Sequence, residues 1–409
     1  MLTSPAITAN LGSVSMARRD TGEPIYRNLI SSYAASVAAH GTRPSCLNGT
    51  VTNNKEKRML SYDVTEWGKP LQPRERATPV PKGSEVLLKL KYCGVCHSDV
   101  HIRDGYFDLG GGKRFHMSDR GMNPPITLGH EPYGTVIAAG PDAGNVPIGK
   151  DRLVCPWIGC GDCARCREGR DNHCMTPRWV GVQSAGGYAD HLLIPHPRYL
   201  VDASGIDPAW AATLACSGLT TYSAVSTLAP IPAEEWVTVI GAGGLGLMTI
   251  GMLRALGHER IIAADIDPSK FPAAREEGAA ATVKADDPDA AGQLQKIAGG
   301  MLFGAIDLVN NTPSATLALS SIRKGGKVIL VGLYGGEIPL SLVSVVQRAL
   351  TICGSNVGTV DELKQVVKLA REGKLKPIPV EKRPLSEVSR TLDELKAGKI
   401  IGRVVAEIG

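Results

Sequence analysis

The chain has 409 residues, 43% hydrophobic and 21% charged, with a net charge of +5. That length exceeds one compact core and suits two domains, while no apolar run approaches the ~20 residues of a membrane-spanning helix. Residues 1–58 hold seven Lys/Arg against three Asp/Glu, which leaves +1 for the rest; so neutral a body argues against nucleic acid as a partner.

Residues 1–58 are rich in Ser, Ala, Thr and Asn and show no sustained period. They lack the apolar core of a secretory signal, so they are expected to be a disordered extension or the product of an upstream start codon. From Met59 the text changes. "EVLLKLKYCGVC" alternates like a strand, and short strands with Gly/Pro turns follow to about residue 200. Residues 59–217 therefore read as a β-rich, barrel-like domain. From residue 218 strands alternate with helices. "WVTVIGAGGLGLMTIGMLRALG" is a strand, a glycine turn and a helix; "RIIAADID", "AIDLVNNT" and "GKVILVGLYG" are further strands. This alternation predicts an α/β fold with a doubly wound parallel sheet, of the Rossmann type, over 218–355. The tail, 356–409, supplies a helix around "VDELKQVVKLAREGKL" and a last strand, "GRVVAEIG".

Ten cysteines in this length are too sparse for a disulfide scaffold, and they cluster. Cys160, Cys163, Cys166 and Cys174 follow C-x2-C-x2-C-x7-C. Four thiolates so spaced can close a tetrahedral shell around one Zn²⁺ and leave no open position, which defines a structural ion. The alternatives are disulfides, which need an oxidising compartment, and an iron–sulfur cluster, which the spacing fits less well. Thiols kept for metal predict a reducing, cytoplasmic setting.

Chemistry needs a different, open site. "GVCHSDVH" offers Cys96, His97, Ser98, Asp99 and His101; "GHEPYGTVIAAG" offers His130 and Glu131; "LACSGLTTY" offers Cys216. Two thiolates and one imidazole would leave the fourth position of a zinc ion for water or substrate. Further on, "VIGAGGLGL" places Gly241, Gly243 and Gly246 in G-x-G-x-x-G between a strand and a helix, with Gly244 and Leu245 inside the turn. Asp265 ends the next strand, nineteen residues after the last glycine. A carboxylate there accepts hydrogen bonds from a ribose and repels a 2′-phosphate, so NAD is favoured over NADP.

Taken together, the cysteine lobe, the unbroken G-H-E-x2-G-x5-G motif from Gly129 to Gly140 and the glycine turn resemble the zinc-dependent medium-chain alcohol dehydrogenases from Met59 onward. The resemblance implies a GroES-like catalytic domain, 59–217 completed by 356–409, and an NAD-binding domain, 218–355. It implies two zinc ions per chain: a catalytic one on Cys96, His130 and Cys216, and a structural one on the four-cysteine lobe. It assigns Asp99 to orienting His130, Glu131 to the metal's surroundings, Ser98 to taking the alcohol proton and His101 to the outer end of the proton relay. It puts Lys270 by the adenosine ribose, His97 and Arg403 at the pyrophosphate, Thr220 and Leu245 against the nicotinamide, and Val331 at its carboxamide. The partners implied are a small alcohol or aldehyde and further copies of the chain, in a homodimer or homotetramer, with neither membrane nor nucleic acid.

The substrate is less defined. An insertion, "DLGGGKRFHMSDRGMNPP", carries Lys113, Arg114, His116 and Arg120, and Arg103 stands where yeast-type members tend to have a large apolar residue. These are either solvated loop charges or a cationic rim that selects a carboxylated alcohol. Together with "PWIGCG", "PHPRYLVD" and "LKAGKIIGRVV", they resemble bacterial 6-hydroxyhexanoate dehydrogenase-like members, which suggests ω-hydroxy acids or medium-chain alcohols. Trp157 is a candidate for the pocket wall. Two other functions stay open: a zinc polyol dehydrogenase, in which Glu often replaces the second Cys ligand, and a non-catalytic NAD(H)-binding redox sensor.

Overall fold

The protein is described by a computed structural model covering residues 58–409; the expectations for the first 57 residues lie outside the described residues. Two sheets organise it. In the first, the order is Leu200–Val201, Asp151–Val154, Pro132–Ala139, Val86–Val95, Arg403–Glu407 and Val380–Pro384. His191–Ile194 also pairs with Val86–Val95, which is thus the hub of the sheet. Val86, Leu88 and Leu90 share one buried face with Lys89 between the last two on the other, and the strand ends buried at Cys93, Gly94 and Val95. The last strand of the chain runs antiparallel to this hub, with Val404 opposite Val95 and Ala406 opposite Cys93. Residues more than 300 positions apart in sequence therefore share one sheet.

The second sheet is parallel throughout, in the order Ala281–Lys284, Ile261–Asp265, Val237–Ile240, Leu302–Asp307, Ile322–Leu330 and Thr351–Gly354. The central strand, Val-Thr-Val-Ile, is buried at every position, as a strand covered by helices on both faces must be. Helices Gly244–Ala255 and Thr312–Ser321 pack against it, and helix Leu219–Leu228 packs against Val360–Arg371. The latter starts on a capping box: the Thr359 hydroxyl accepts from the Glu362 amide at 3.2 Å, and the Glu362 carboxylate accepts from the Thr359 amide at 2.7 Å. Strand Thr351–Gly354 is the edge of the sheet. Among the described residues no helix is long and apolar enough to cross a membrane.

Candidate active site

A cleft of about 740 Å³ lies at the carboxyl ends of the parallel strands, where an open α/β sheet binds its ligand. One wall is the glycine turn. Gly241 has φ 97°, which a residue with a side chain rarely adopts. A Cβ on Gly246 would lie 1.9 Å from the Gly241 carbonyl oxygen, so the helix reaches this close to the strand only because the side chain is a hydrogen. A Cβ on Gly243 would meet nothing, which leaves that side free for a ligand's backbone approach. Asp265 closes this end. Its carboxylate accepts from the amides of Ala242 at 2.7 Å and Asp267 at 2.9 Å, and from the Lys270 ammonium at 3.1 Å.

The opposite end holds a group of residues that could bind a metal ion. Cys96 precedes helix His97–Asp104, which turns Ser98 and His101 toward the cleft. Cys216 sits in a π-helical turn, Leu214–Gly218, an irregularity that often marks functional positions. The ligand atoms of Cys96, His130, Glu131 and Cys216 all lie within 4.8 Å of one another. His130 is fully buried, and its Nε2 has no hydrogen-bond partner. A buried, unpartnered imidazole nitrogen facing two thiols is costly unless it coordinates something.

The electrostatics agree. The Cys96 thiol is held well below its ordinary pKa by a hydrogen bond from Cys216, against the effect of burial, while that contact and burial raise Cys216. Burial opposes the charge of His130, yet Asp99 and Cys96 raise its pKa well above the usual value. Such a cluster favours added positive charge, and its S, S, N donor set fits zinc with one position left over.

Behind the ligands lies a supporting layer. Asp99 is fully buried, with one oxygen 3.0 Å from His130 Nδ1 and 3.2 Å from the Gly129 amide. Its other oxygen accepts from the Cys96 amide at 3.0 Å and from the Tyr188 hydroxyl at 2.8 Å. This fixes the imidazole tautomer with Nε2 free. Glu131 is also fully buried and forms an ion pair with Arg403, whose guanidinium is itself almost wholly buried. Burial pushes the Glu131 carboxyl up to about 7, with Arg403 opposing. Gly94 makes room for it: a Cβ there would lie 1.8 Å from Glu131 Oε2.

The four lobe cysteines form a second group whose sulfurs lie within 4.8 Å of one another. Cys163 Sγ is 3.5 Å from Cys166 Sγ and 3.9 Å from Cys174 Sγ. None of the described cysteines is in a disulfide. Four sulfurs drawn together without bonding to one another fit a closed zinc site.

Every residue assigned to the dinucleotide lines the cleft: His97, Thr220, Gly241, Gly243, Gly244, Leu245, Gly246, Asp265, Lys270, Val331 and Arg403. Ser98, His101 and Trp157 line it as well, whereas Asp99 and Glu131 stand behind the ligands. Trp157 donates to the Ala215 carbonyl at 3.1 Å and packs on the His130 ring at 5.4 Å. The cationic-rim expectation is not met. Arg103 is buried, pairs with Asp393 at 2.7 Å and does not line the cleft. The insertion forms a hairpin, Tyr106–Gly110 with Lys113–His116, and Lys113, Arg114, His116 and Arg120 do not line the cleft. Arg114 lies over the Tyr106 ring, Arg120 over Phe115, and Lys113 pairs with Glu337. Sequence reasoning missed Tyr188, Gly94, Asn310, Tyr334 and Asn356. Gly94 adjoins the Cys96 segment, but nothing in the sequence around Tyr188 signals its role.

Comparison with known proteins agrees with this geometry. Residues 82–204 match the alcohol dehydrogenase GroES-like domain family, and residues 244–372 match the zinc-binding dehydrogenase family. The NAD-dependent alcohol dehydrogenase of Sulfurisphaera tokodaii is 35% identical over 348 residues, covering 85% of this chain and 99% of that protein. The solved alcohol dehydrogenase of the hyperthermophilic archaeon Aeropyrum pernix superposes with a TM-score of 0.77 at 28% identity, covering 85% of this chain and 99% of that one. Acetophenone reductase from Geotrichum candidum, solved with NAD, gives 0.75 at 29% identity over 88% of this chain and 98% of its own. With these matches and the paired cysteine sites, the chain belongs to the zinc-binding alcohol dehydrogenase family.

Proposed function

We propose that the protein interconverts an alcohol and its aldehyde or ketone with NAD, using one zinc on Cys96, His130 and Cys216 and a second, structural zinc on Cys160, Cys163, Cys166 and Cys174. The observation that carries this is the free His130 Nε2 between two thiols, in the same cleft as the glycine turn. When bound, zinc supplies Lewis acidity that favours the alkoxide, and NAD supplies the hydride acceptor. The rest is the chain's own work. Asp99 holds the His130 ring. Ser98, whose hydroxyl lies 3.9 Å from Cys96 Sγ, receives the alcohol proton, and His101 passes it outward. Burial lowers the His101 pKa below its ordinary 6.5, so the ring is neutral and able to accept at physiological pH. Asp265 and Lys270 hold the adenosine ribose, the glycine turn holds the pyrophosphate with His97 and Arg403, and Thr220, Leu245 and Val331 seat the nicotinamide.

We assign residues 59–217 with 356–409 to the zinc-bearing domain and 218–355 to the dinucleotide domain. The apolar lining around Val95, Trp157 and Leu333, with Arg103 withdrawn into an ion pair, supports a medium-chain alcohol over an ω-hydroxy acid. Edge strand Thr351–Gly354 and the exposed Leu342, Val343 and Val346 beside it support self-association as a homodimer or homotetramer. Among the described residues the thiols are unpaired, which supports a reducing, cytoplasmic location. The test is NADH formation by purified protein over a panel of alcohols, with zinc content measured. Failure to oxidise any alcohol while holding two zinc ions would favour the sensor reading.

A further inference from the structure

The cysteine lobe is hydrogen-bonded to a segment that lines the cleft. Asn172 lies within the lobe, between Cys166 and Cys174, and is buried. Its Nδ2 donates to the Asn356 carbonyl at 3.1 Å, and the Asn356 side chain returns a longer contact of 3.5 Å to the Asn172 carbonyl. The Asn172 Oδ1 is buried with no partner, so the side chain's one strong bond is the one it donates. Asn356 and the next residue, Val357, both line the cleft. Val357 has φ 48°, a left-handed backbone that a β-branched residue adopts only when its surroundings enforce it. Gly358 then packs against Leu219, where a Cβ would lie 2.6 Å from Leu219 Cδ1. Leu219 is three residues beyond Cys216, and the turn follows strand Thr351–Gly354, which three strands separate from Ile261–Asp265, so it sits at the reacting end of the cleft, away from Asp265.

We propose that Asn172 is a positioning residue for that end: its hydrogen bond to the Asn356 carbonyl holds the 355–357 turn in its left-handed form, and the folded cysteine lobe thereby sets how well the nicotinamide half of the cofactor is seated. The inference rests on the NAD-dependent reading given above. A dinucleotide anchored by its adenosine at Asp265 must bring its nicotinamide to Cys96 and Cys216, where the turn lies. The lobe is then more than a distant staple, because one amide links it to a strained segment of the site.

The test separates the two halves of the cofactor. NADH and ADP-ribose, which lacks the nicotinamide, are titrated against the zinc-loaded full chain and against Asn172→Asp. Aspartate keeps the shape of asparagine but turns an acceptor toward the Asn356 carbonyl. Expected are two zinc ions per chain, NADH binding weakened about tenfold, as the loss of one buried hydrogen bond implies, and ADP-ribose binding within about twofold of the parent. Unchanged NADH binding overturns the proposal, and so does an equal loss for both ligands. If the added carboxylate disturbs the lobe metal, Asn172→Ala carries the same test; loss of lobe metal in both variants makes Asn172 a part of the lobe alone and overturns it too. A parent chain that binds neither ligand refutes the NAD reading instead.

Discussion

Replacing Asp99 by Asn tests whether the metal site depends on its supporting layer. The carboxylate accepts four hydrogen bonds at 2.8 to 3.2 Å, from His130, Gly129, Cys96 and Tyr188, and is wholly buried. Asparagine has the same shape but only one oxygen. Its amide group must turn toward one pair of donors. The Cys96 side is the cheaper choice, because the Tyr188 hydroxyl can rotate and accept. One repulsive N–H to N–H contact then remains at Cys96, and the two bonds still accepted lose their ionic character. Hydrogen bonds to a charged group contribute about 1.5–3 kcal/mol each and neutral ones about 0.5–1.5. Easier burial of a neutral amide offsets part of the loss, leaving a net cost of about 2–3 kcal/mol. The imidazole also becomes a weaker ligand, and zinc affinity should fall about 10–100-fold. Chelator competition with metal analysis would show one zinc leaving early and the lobe zinc retained, with kcat/KM falling in step. A variant that keeps both ions and full activity would refute the view that Asp99 orients His130.

Cys163→Ser should release the lobe metal and destabilise the fold, whereas Cys216→Ser should abolish activity and retain one zinc; metal content and thermal unfolding check both. Asp265→Ala should raise kcat/KM with NADP⁺ relative to NAD⁺, although Lys270 already offsets part of the charge that a 2′-phosphate would meet. Arg103→Ala should lower stability by emptying the buried space its side chain fills, since the exposed Asp393 stays solvated, and should not change the ratio of rates on 6-hydroxyhexanoate and 1-hexanol. Burial raises the Glu277 carboxyl to about 7 from 4.5, so the stability it contributes is complete below pH 4.5 and is lost as pH rises through 7. Glu277→Gln should flatten that part of the stability–pH curve, as followed by denaturant unfolding.

The features readable in the sequence were those whose parts lie close together along the chain. The lobe cysteines span fifteen residues, and the glycine turn needs only a strand before it and a helix after it. The clustering of Cys96, His130 and Cys216 was legible although they are dispersed along the chain, because each comes with its own local motif. What escaped is paired over long distances without a motif. Arg103 finds Asp393 at a separation of 290 residues, and Glu131 finds Arg403 at 272. A lone arginine in a pocket-lining register looks like a specificity residue until a carboxylate from the far end of the chain is seen to claim it. Tyr188 shows no pattern either, and its role appears only when the chain folds its hydroxyl onto Asp99.

The last strand, Arg403–Glu407, pairs with the hub strand that leads into Cys96, and it delivers Arg403 to Glu131. The first sheet is therefore incomplete until residues 403–407 have been made, because they lie between Val86–Val95 and Val380–Pro384. The parallel sheet can form earlier, since all six of its strands have emerged by residue 354. A chain truncated before Arg403 would thus keep the glycine turn and Asp265 but lose a cleft-lining arginine, with an unfinished first sheet and Glu131 buried without its cation.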